Sequence, residues 1–80
     1  MTYSDLISKR IYELILERNI TINKLATLSG ITQSTLSSIM IGKSKNITIK
    51  TIHRICIGLD ITLSEFFDFQ EMNTTKFDDE

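Results

Sequence analysis

Residues 21–42 read TINKLATLSGITQSTLSSIMIG. This stretch predicts two short helices joined by a tight turn at Gly30. The inward-facing residues are Leu25 and Ala26 before the turn and Leu36, Ile39 and Met40 after it. Ala26 is small enough for two helices to cross closely, and Gly30 adopts a left-handed backbone conformation without steric cost. These spacings fit a helix-turn-helix, the motif that places its second helix in the major groove of DNA.

Length and composition indicate one small domain with enough apolar surface to form a core. The chain has 80 residues, of which 41% are hydrophobic and none is proline. No run approaches the roughly 18 apolar residues of a membrane span, and no signal-peptide pattern opens the chain. Because the single cysteine, Cys56, cannot form an internal disulfide, we expect a protein of the reducing cytoplasm.

Charge is distributed unevenly along the chain. Residues 1–59 contain eight Lys or Arg and three Asp or Glu, a net charge of +5. Residues 60–80 contain one Lys and seven acidic residues, a net charge of −6. The basic part could meet phosphate groups, whereas the acidic end would be repelled by them. From charge alone, an ordinary solvated surface explains this uneven distribution better than phosphate binding does.

Threonines mark the starts of five predicted helices, and no strand is predicted. The five are Thr2, Thr21, Thr32, Thr48 and Thr62; Thr2 and Thr62 form capping boxes with Asp5 and Glu65. The inward-facing residues outside the helix-turn-helix are Ile7, Ile11, Leu14, Ile15, Ile52, Ile55, Cys56, Leu59, Leu63, Phe66 and Phe67, and Ile22 joins them from the second helix. We therefore expect an all-α bundle of five helices over residues 1–69. An acidic, flexible tail is expected over residues 70–80.

The order of these residues resembles the Cro/phage-repressor (XRE) helix-turn-helix family over residues 11–67. The similarity is carried by Leu25-Ala26, the run 30–37 (GITQSTLS), Ile39, Gly42-Lys43, Ile55, Leu59 and the run 60–67 (DITLSEFF). A helix-turn-helix match alone is weak, and the match through the fourth and fifth helices makes it specific. The resemblance implies a compact five-helix, phage-repressor-like fold with the helix-turn-helix in helices 2 and 3. It also implies a sequence-specific, usually dimeric DNA-binding domain of a transcriptional regulator.

Two features depart from the family pattern. Ile15 and Met40 replace an Arg and a Glu that in the family often form an ion bridge between helices one and three. Replacing both charges with apolar residues can leave stability unchanged or raise it, so we predict that Ile15 and Met40 touch in the core. The second feature is Ile47, which replaces a frequent proline before helix four and leaves the path of the preceding loop open.

The outward face of the third predicted helix is polar and uncharged. With Leu36 facing inward, steps of about 100° per residue place Ser34, Ser38 and Ile41 nearly opposite, with Ser37 beside them. Gln33 lies in the first turn, the end that points at the bases in a helix-turn-helix. The resemblance implies that Gln33, Ser34 and Ser38 fall where related repressors read bases, and Ser37 completes the set of candidate base contacts.

The residue types on this face suggest a preference among base pairs. Gln can pair with adenine N6 and N7, and the face carries no Arg to read guanine, so we expect a bias toward A·T-containing sites. Ile41 is either a contact to a thymine methyl group or an ordinary exposed apolar residue, and the second interpretation is favoured. A solvated helix side would also be polar, but an exposed side with no charge is less usual.

Candidate phosphate contacts flank this helix. They are Thr21, Asn23, Thr32, Thr35, Lys43, Ser44, Lys45, Asn46 and Thr48. Helix N-termini offer unpaired N–H groups and partial positive charge, which attract anions. For Thr21, Thr32 and Thr48 the capping role is the surer one, and both roles can coexist because they use different groups. Lys43 and Lys45 would be ordinary loop lysines singly, but together with Gly42 they match the loop of the family.

His53 and Cys56 are the only pair that could suggest catalysis or metal binding. A zinc site needs four ligands, or three and a water, and no suitably spaced carboxylate completes a Cys–His nucleophile. Cys56 lies on the apolar stripe and is expected in the core, with His53 partly exposed. We therefore predict no enzyme, no cofactor and no metal site.

Two classes of function stay open. The first is a DNA-binding regulator, a repressor, that occupies an operator in double-stranded DNA as a homodimer. Candidates for the dimer contact are Phe66, Phe69, Met72 and Phe77, unless Phe66 belongs to the core and the tail is disordered. The second is a protein-interaction module of the same fold, an antitoxin or adaptor, whose acidic residues 68–80 dock on a basic partner.

Overall fold

Six α-helices make up the part of the chain that the computed structural model describes, which is residues 2–43 and 47–74. They are α1 (Tyr3–Arg18), α2 (Ile22–Ser29), α3 (Gln33–Met40), α4 (Ile49–Leu59), α5 (Leu63–Phe66) and α6 (Gln70–Thr74). These ranges contain no strand, and the expected all-α fold is confirmed. The five predicted helices correspond to α1–α5, and α6 is additional. None of the described helices has the length and apolar character needed to cross a membrane.

Each of the first five helices begins directly after a threonine, as the sequence predicts. The side-chain oxygens of these threonines accept hydrogen bonds from the backbone N–H groups three residues later. Both capping boxes are formed, because Asp5 Oδ2 accepts from the Thr2 N–H at 3.1 Å and Glu65 Oε1 accepts from the Thr62 N–H at 2.9 Å. These hydrogen bonds stabilise the charged carboxylates and lower the pKa of Asp5 and of Glu65.

Three helices end at a residue in the left-handed backbone conformation. Gly30 ends α2 with φ 68°, as predicted, and Gly42 follows α3 with φ 78°. The equivalent residues after α1 and α4 are Asn19 at φ 55° and Asp60 at φ 58°. Asn and Asp are the side chains other than Gly that visit this conformation most readily, because they can bond locally. The sequence predicted this conformation at Gly30 and missed it at Asn19 and Asp60.

The helices enclose one hydrophobic core. α2 lies against α3 and α4, and α1 packs on α3. The core consists of Ile7, Ile11, Leu14, Ile15, Leu25, Ala26, Leu36, Ile39, Met40, Ile52, Ile55, Cys56, Leu59 and Phe66, with Ile22, Leu63 and Phe67 partly buried against it. The predicted inward-facing residues are thus confirmed. Ile15 and Met40 are both buried in this cluster, and their direct contact stays a prediction.

Gly58 on α4 lies in close contact with the end of α2. A Cβ atom on this residue would lie 2.5 Å from Ser29 Oγ and 3.0 Å from the backbone atoms Leu28 C and Ser29 N. Such distances are shorter than van der Waals contact, so a side chain here would force the two helices apart. Gly58 therefore fixes how α4 supports the helix that precedes the turn.

Two arginines of α1 bind the ends of later helices. Arg10 Nε donates to the carbonyl oxygen of Phe66 at 2.8 Å, and its Nη2 donates to that of Glu65 at 2.8 Å. Arg18 Nε donates to the carbonyl oxygen of Leu59 at 3.2 Å. The last carbonyls of a helix lack partners within that helix and carry partial negative charge. The two guanidinium groups therefore tie α1 to the C-terminal ends of α4 and α5.

α6 packs on α1. Lys9 on α1 forms an ion pair with Glu71, and the side-chain amide of Asn73 donates to the carbonyl oxygens of Phe67 and Phe69. Met72 packs against the core. Residues 70–74 are helical, and the flexibility expected of residues 70–80 stays a prediction. Residues 75–80 lie outside the described residues.

One candidate for a dimer contact is corrected by its burial. Phe66 has no exposed surface, so it belongs to the core and cannot touch a second chain. The Phe69 ring is partly covered by the Arg10 guanidinium, whose central carbon lies 5.3 Å from the ring centroid. Phe69 and Met72 are each partly exposed. Phe77 lies outside the described residues.

Candidate nucleic-acid interface

The turn between α2 and α3 is set by backbone hydrogen bonds around Gly30. The N–H groups of Gly30 and Ile31 donate to the carbonyl oxygens of Thr27 and Ala26 at 3.3 and 3.2 Å. Nothing lies within 4 Å of the position that a Cβ on Gly30 would occupy, so the positive φ, and not crowding, favours glycine. Two residues later Thr32 caps α3. The direction of α3 relative to α2 is therefore fixed locally.

The outward face of α3 is most accessible in its first turn. Gln33 and Ser34 are exposed and Ser37 and Ser38 are half-buried, whereas Leu36 on the opposite side is fully buried. Within the described part of the chain, the side chains of these four polar residues form no hydrogen bond. The exposed side chains of Gln33 and Ser34 offer the donors and acceptors that a helix needs to read base edges.

The helices α2, α3 and α4 each begin at a threonine that was predicted as a phosphate contact. Thr21, Thr32 and Thr48 each use their side-chain oxygen to accept from the backbone N–H of the third helical residue, at 3.0 to 3.2 Å. The capping role predicted for these threonines is confirmed. In each case the backbone N–H groups of the first two helical residues have no intrahelical partner. An anion can bind these N–H groups without displacing the cap.

The starts of α3 and α4 share a second feature, a pair of threonine hydroxyls. Thr32 Oγ1 donates to Thr35 Oγ1 at 2.8 Å, and Thr48 Oγ1 donates to Thr51 Oγ1 at 3.1 Å. The second threonine in each pair accepts this bond, so its own hydroxyl hydrogen is not used in it and can be donated to another group. Thr35 was predicted from the sequence, and Thr51 was missed although the spacing Thr-x-x-Thr occurs at both places.

The segment of the chain that contains the helix-turn-helix carries a net positive charge. Residues 21–59 contain five Lys or Arg and no Asp or Glu. Lys43, predicted from the sequence, is exposed, and so are Lys24 and Lys50 in the first turns of α2 and α4. Sequence reasoning missed Lys24 and Lys50, and their position within three residues of a predicted cap could have identified them. Ser44, Lys45 and Asn46 lie outside the described residues, whereas Asn23 is exposed at the start of α2.

His53 and Cys56 do not form a shared site. Cys56 is fully buried in the core, as predicted, and burial raises the pKa of its thiol because the charged form is desolvated. His53, three residues earlier on α4, is exposed. Among residues 2–43 and 47–74, no three or more His, Cys, Asp or Glu residues are grouped so that they could hold a metal ion.

Comparisons with known proteins agree with this geometry. Residues 10–71 match the family described as the Cro/C1-type HTH DNA-binding domain. The fold is also similar to the crystal structure of the prophage Lp1 protein 11, with a TM-score of 0.82 and 42% sequence identity, over 92% of this chain and 97% of that chain. The curated proteins include no match. The matched residues include α2, α3 and the turn between them.

Proposed function

Because the chain belongs to the family of Cro/C1-type HTH DNA-binding domains, we propose that it is a sequence-specific transcriptional repressor. In this proposal it acts in the cytoplasm and binds an operator in double-stranded DNA as a homodimer. The observation that carries the proposal is the outward face of α3, which is accessible, uncharged and unpaired within the described residues. A face of this kind suits hydrogen bonding to base edges.

The four polar residues of α3 are assigned to base readout. Gln33, in the first turn, can pair bidentately with adenine N6 and N7. Ser34, Ser37 and Ser38 have short side chains that allow close approach and can donate to or accept from several bases. No arginine is available on this face for guanine. A preference for A·T-containing half-sites follows.

Phosphate contacts are assigned to the helix starts and to the basic residues around them. The residues are Thr21, Asn23, Thr32, Thr35, Lys43, Ser44, Lys45, Asn46 and Thr48, with Lys24 and Lys50 added from their exposed positions. Free N–H groups at three helix starts and five Lys or Arg without an acidic neighbour in residues 21–59 support this assignment. These contacts would position α3 without selecting a sequence.

The homodimer is proposed because one α3 covers only a few base pairs. Specific binding by this motif generally uses two half-sites about 34 Å apart, one turn of DNA. With Phe66 in the core, Phe69, Met72 and Phe77 stay as candidates for the contact between protomers. Site selection from random duplexes tests function, spacing and symmetry together, since a dimer should select an inverted repeat.

A salt series separates this proposal from the alternative of a protein-interaction module. DNA binding through about 3–5 phosphates per subunit should weaken steeply as salt rises, whereas an adaptor would show little affinity at any salt concentration. Lys43→Ala should weaken binding to all DNA sequences. It should also reduce the slope of log affinity against log salt concentration by about 1. Gln33→Ala should instead cost about 1–3 kcal/mol at its own base pair and relax the preference there.

The matched control for Lys43 is Lys9→Ala. Lys9 is also an exposed lysine, but it pairs with Glu71 on α6 and not with the region around α3. Removing its charge should leave the salt dependence of DNA binding unchanged. If Lys43→Ala and Gln33→Ala changed binding to the selected site and to random DNA in the same way, the division into positioning and reading residues would be wrong.

A further inference from the structure

Ile41 is an apolar residue at the edge of the polar face of α3. Its side chain is 64% exposed, whereas the two preceding residues, Ile39 and Met40, are 2% and 6% exposed. It follows Ser34 by seven residues and Ser38 by three, so it lies on their side of the helix. The structure thus separates Ile41 from the core and places it beside the residues assigned to base readout.

The backbone holds Ile41 in one position. Its N–H donates to the carbonyl oxygen of Ser37 at 3.0 Å, and the N–H of Lys43 donates to that of Ser38 at 3.0 Å. Gly42, with φ 78°, turns the chain away directly afterwards. Isoleucine is also stiff at χ1 because it is β-branched. A β-branched side chain on such a backbone has few rotamers to lose when a ligand covers it.

The chemistry of the major groove offers one kind of apolar partner. Base edges there present hydrogen-bond donors and acceptors, and the apolar exception is the C5-methyl group of thymine. 5-Methylcytosine carries a methyl group on the same carbon. Water and phosphate cannot be bonded by an aliphatic side chain, so the contact that would stabilise an ordered isoleucine in the groove is with this methyl group.

We propose that Ile41 is a specificity-determining residue that packs on the C5-methyl group of a pyrimidine in each half-site. The inference rests on the proposed function, since it requires α3 to lie in the major groove. It adds a thymine contact to the adenine contact assigned to Gln33. It also makes binding sensitive to the methyl group itself, whichever pyrimidine carries it.

The test replaces each thymine of a selected duplex, one position at a time, with deoxyuridine. This change removes only the methyl group and keeps base pairing. At one position in each half-site, the wild-type protein should bind about fourfold more weakly, the effect of one methyl-sized group. Ile41→Ala should bind the thymine and uracil duplexes equally. Ile57→Ala is the matched control, because Ile57 is also 64% exposed but lies near the opposite end of α4 from Thr48, and it should keep the fourfold difference.

A second arm adds the methyl group back on a different base. With cytosine at the same position, methylation at C5 should raise wild-type affinity about fourfold and leave Ile41→Ala unchanged. The inference is overturned if no deoxyuridine duplex binds more weakly, or if Ile41→Ala retains the loss. Should the wild-type protein bind no duplex at all, the proposed function itself fails. Salt-dependent DNA binding with no effect of the methyl group would reject the role of Ile41 and leave the proposed function standing.

Discussion

The side-chain hydroxyl of Ser8 donates a 2.8 Å hydrogen bond to the backbone carbonyl oxygen of Met40. Ser8 is buried on α1, and Met40 is the last residue of α3. Since the last carbonyls of a helix have no partner within the helix, this bond satisfies a group that burial would otherwise leave unpaired. α1 therefore fixes the end of the helix that we assign to base readout.

Ser8→Ala should lower the free energy of unfolding by about 1 kcal/mol, because it leaves the Met40 carbonyl without this partner. The measurement is urea denaturation. Ser29→Ala is the matched control, since Ser29 is another buried serine but its hydroxyl has no hydrogen-bond partner among the described residues. Its removal should be neutral or stabilising. Equal losses in the two variants would contradict the role assigned to Ser8.

The apolar pair Ile15 and Met40 can be tested by restoring the charges typical of the family. Ile15→Arg or Met40→Glu alone should destabilise the fold by about 3–5 kcal/mol, because each leaves an unpaired charge in the core. The double variant should lose less than the sum of the single losses, with a coupling of at least about 1 kcal/mol. Thermal and urea unfolding of the four proteins complete the cycle. Strictly additive losses would mean that the two side chains do not touch.

Gly58→Ala should destabilise the protein by about 1–3 kcal/mol, because the new Cβ would overlap Ser29 and the backbone of Leu28. In an ordinary helix the same change stabilises by about 0.5–1 kcal/mol. The sign of the change in stability therefore shows whether Gly58 is needed for the close contact of α2 and α4. Gly30→Asn is the comparison variant, because the space around Gly30 is open and Asn19 already takes the same conformation at the end of α1. It should change the melting temperature much less than Gly58→Ala. A stabilising Gly58→Ala would show that α2 and α4 can separate without cost.

Stability should depend on pH through the capping box of α5. The hydrogen bond from the Thr62 N–H lowers the pKa of Glu65 in the folded state, so the folded protein binds fewer protons than the unfolded chain. The stabilisation is complete above the unfolded glutamate pKa of about 4.3 and is lost as pH falls through the lower folded value.

Glu65→Gln keeps an oxygen that can accept from Thr62 but cannot titrate in this range. Between about pH 5 and 3, the urea midpoint of the wild type should therefore fall more steeply than that of Glu65→Gln. Asp5, whose pKa is lowered in the same way at α1, is present in both proteins and cancels in the comparison. Parallel midpoints over this range would exclude a contribution from Glu65.

Features of the fold that depend on neighbours in sequence could be predicted. A threonine cap and the glutamate of a capping box lie three residues apart, and the buried face of a helix follows from spacings of three and four residues. The turn at Gly30 and the outward direction of Gln33 and Ser34 follow from the same local patterns. The exposure of Gln33 and Ser34 could therefore be predicted from the sequence.

Features that depend on distant residues could not be predicted. Arg10 and Phe66 are 56 positions apart, and no local pattern indicates that a charged residue on α1 binds that carbonyl oxygen. α6 has five residues, too few to display helical periodicity, and it is held by Lys9 across 62 positions.

The helices on either side of Lys43 and Ile47 hold each other by contacts that do not use the connecting chain. α2 packs on α4. α1 binds α6 through Lys9 and the end of α5 through Arg10. If the peptide backbone were cut between Lys43 and Ile47, the two fragments would carry matching surfaces and could reassemble without a covalent link. Folding would then become bimolecular, and the melting temperature would rise with fragment concentration.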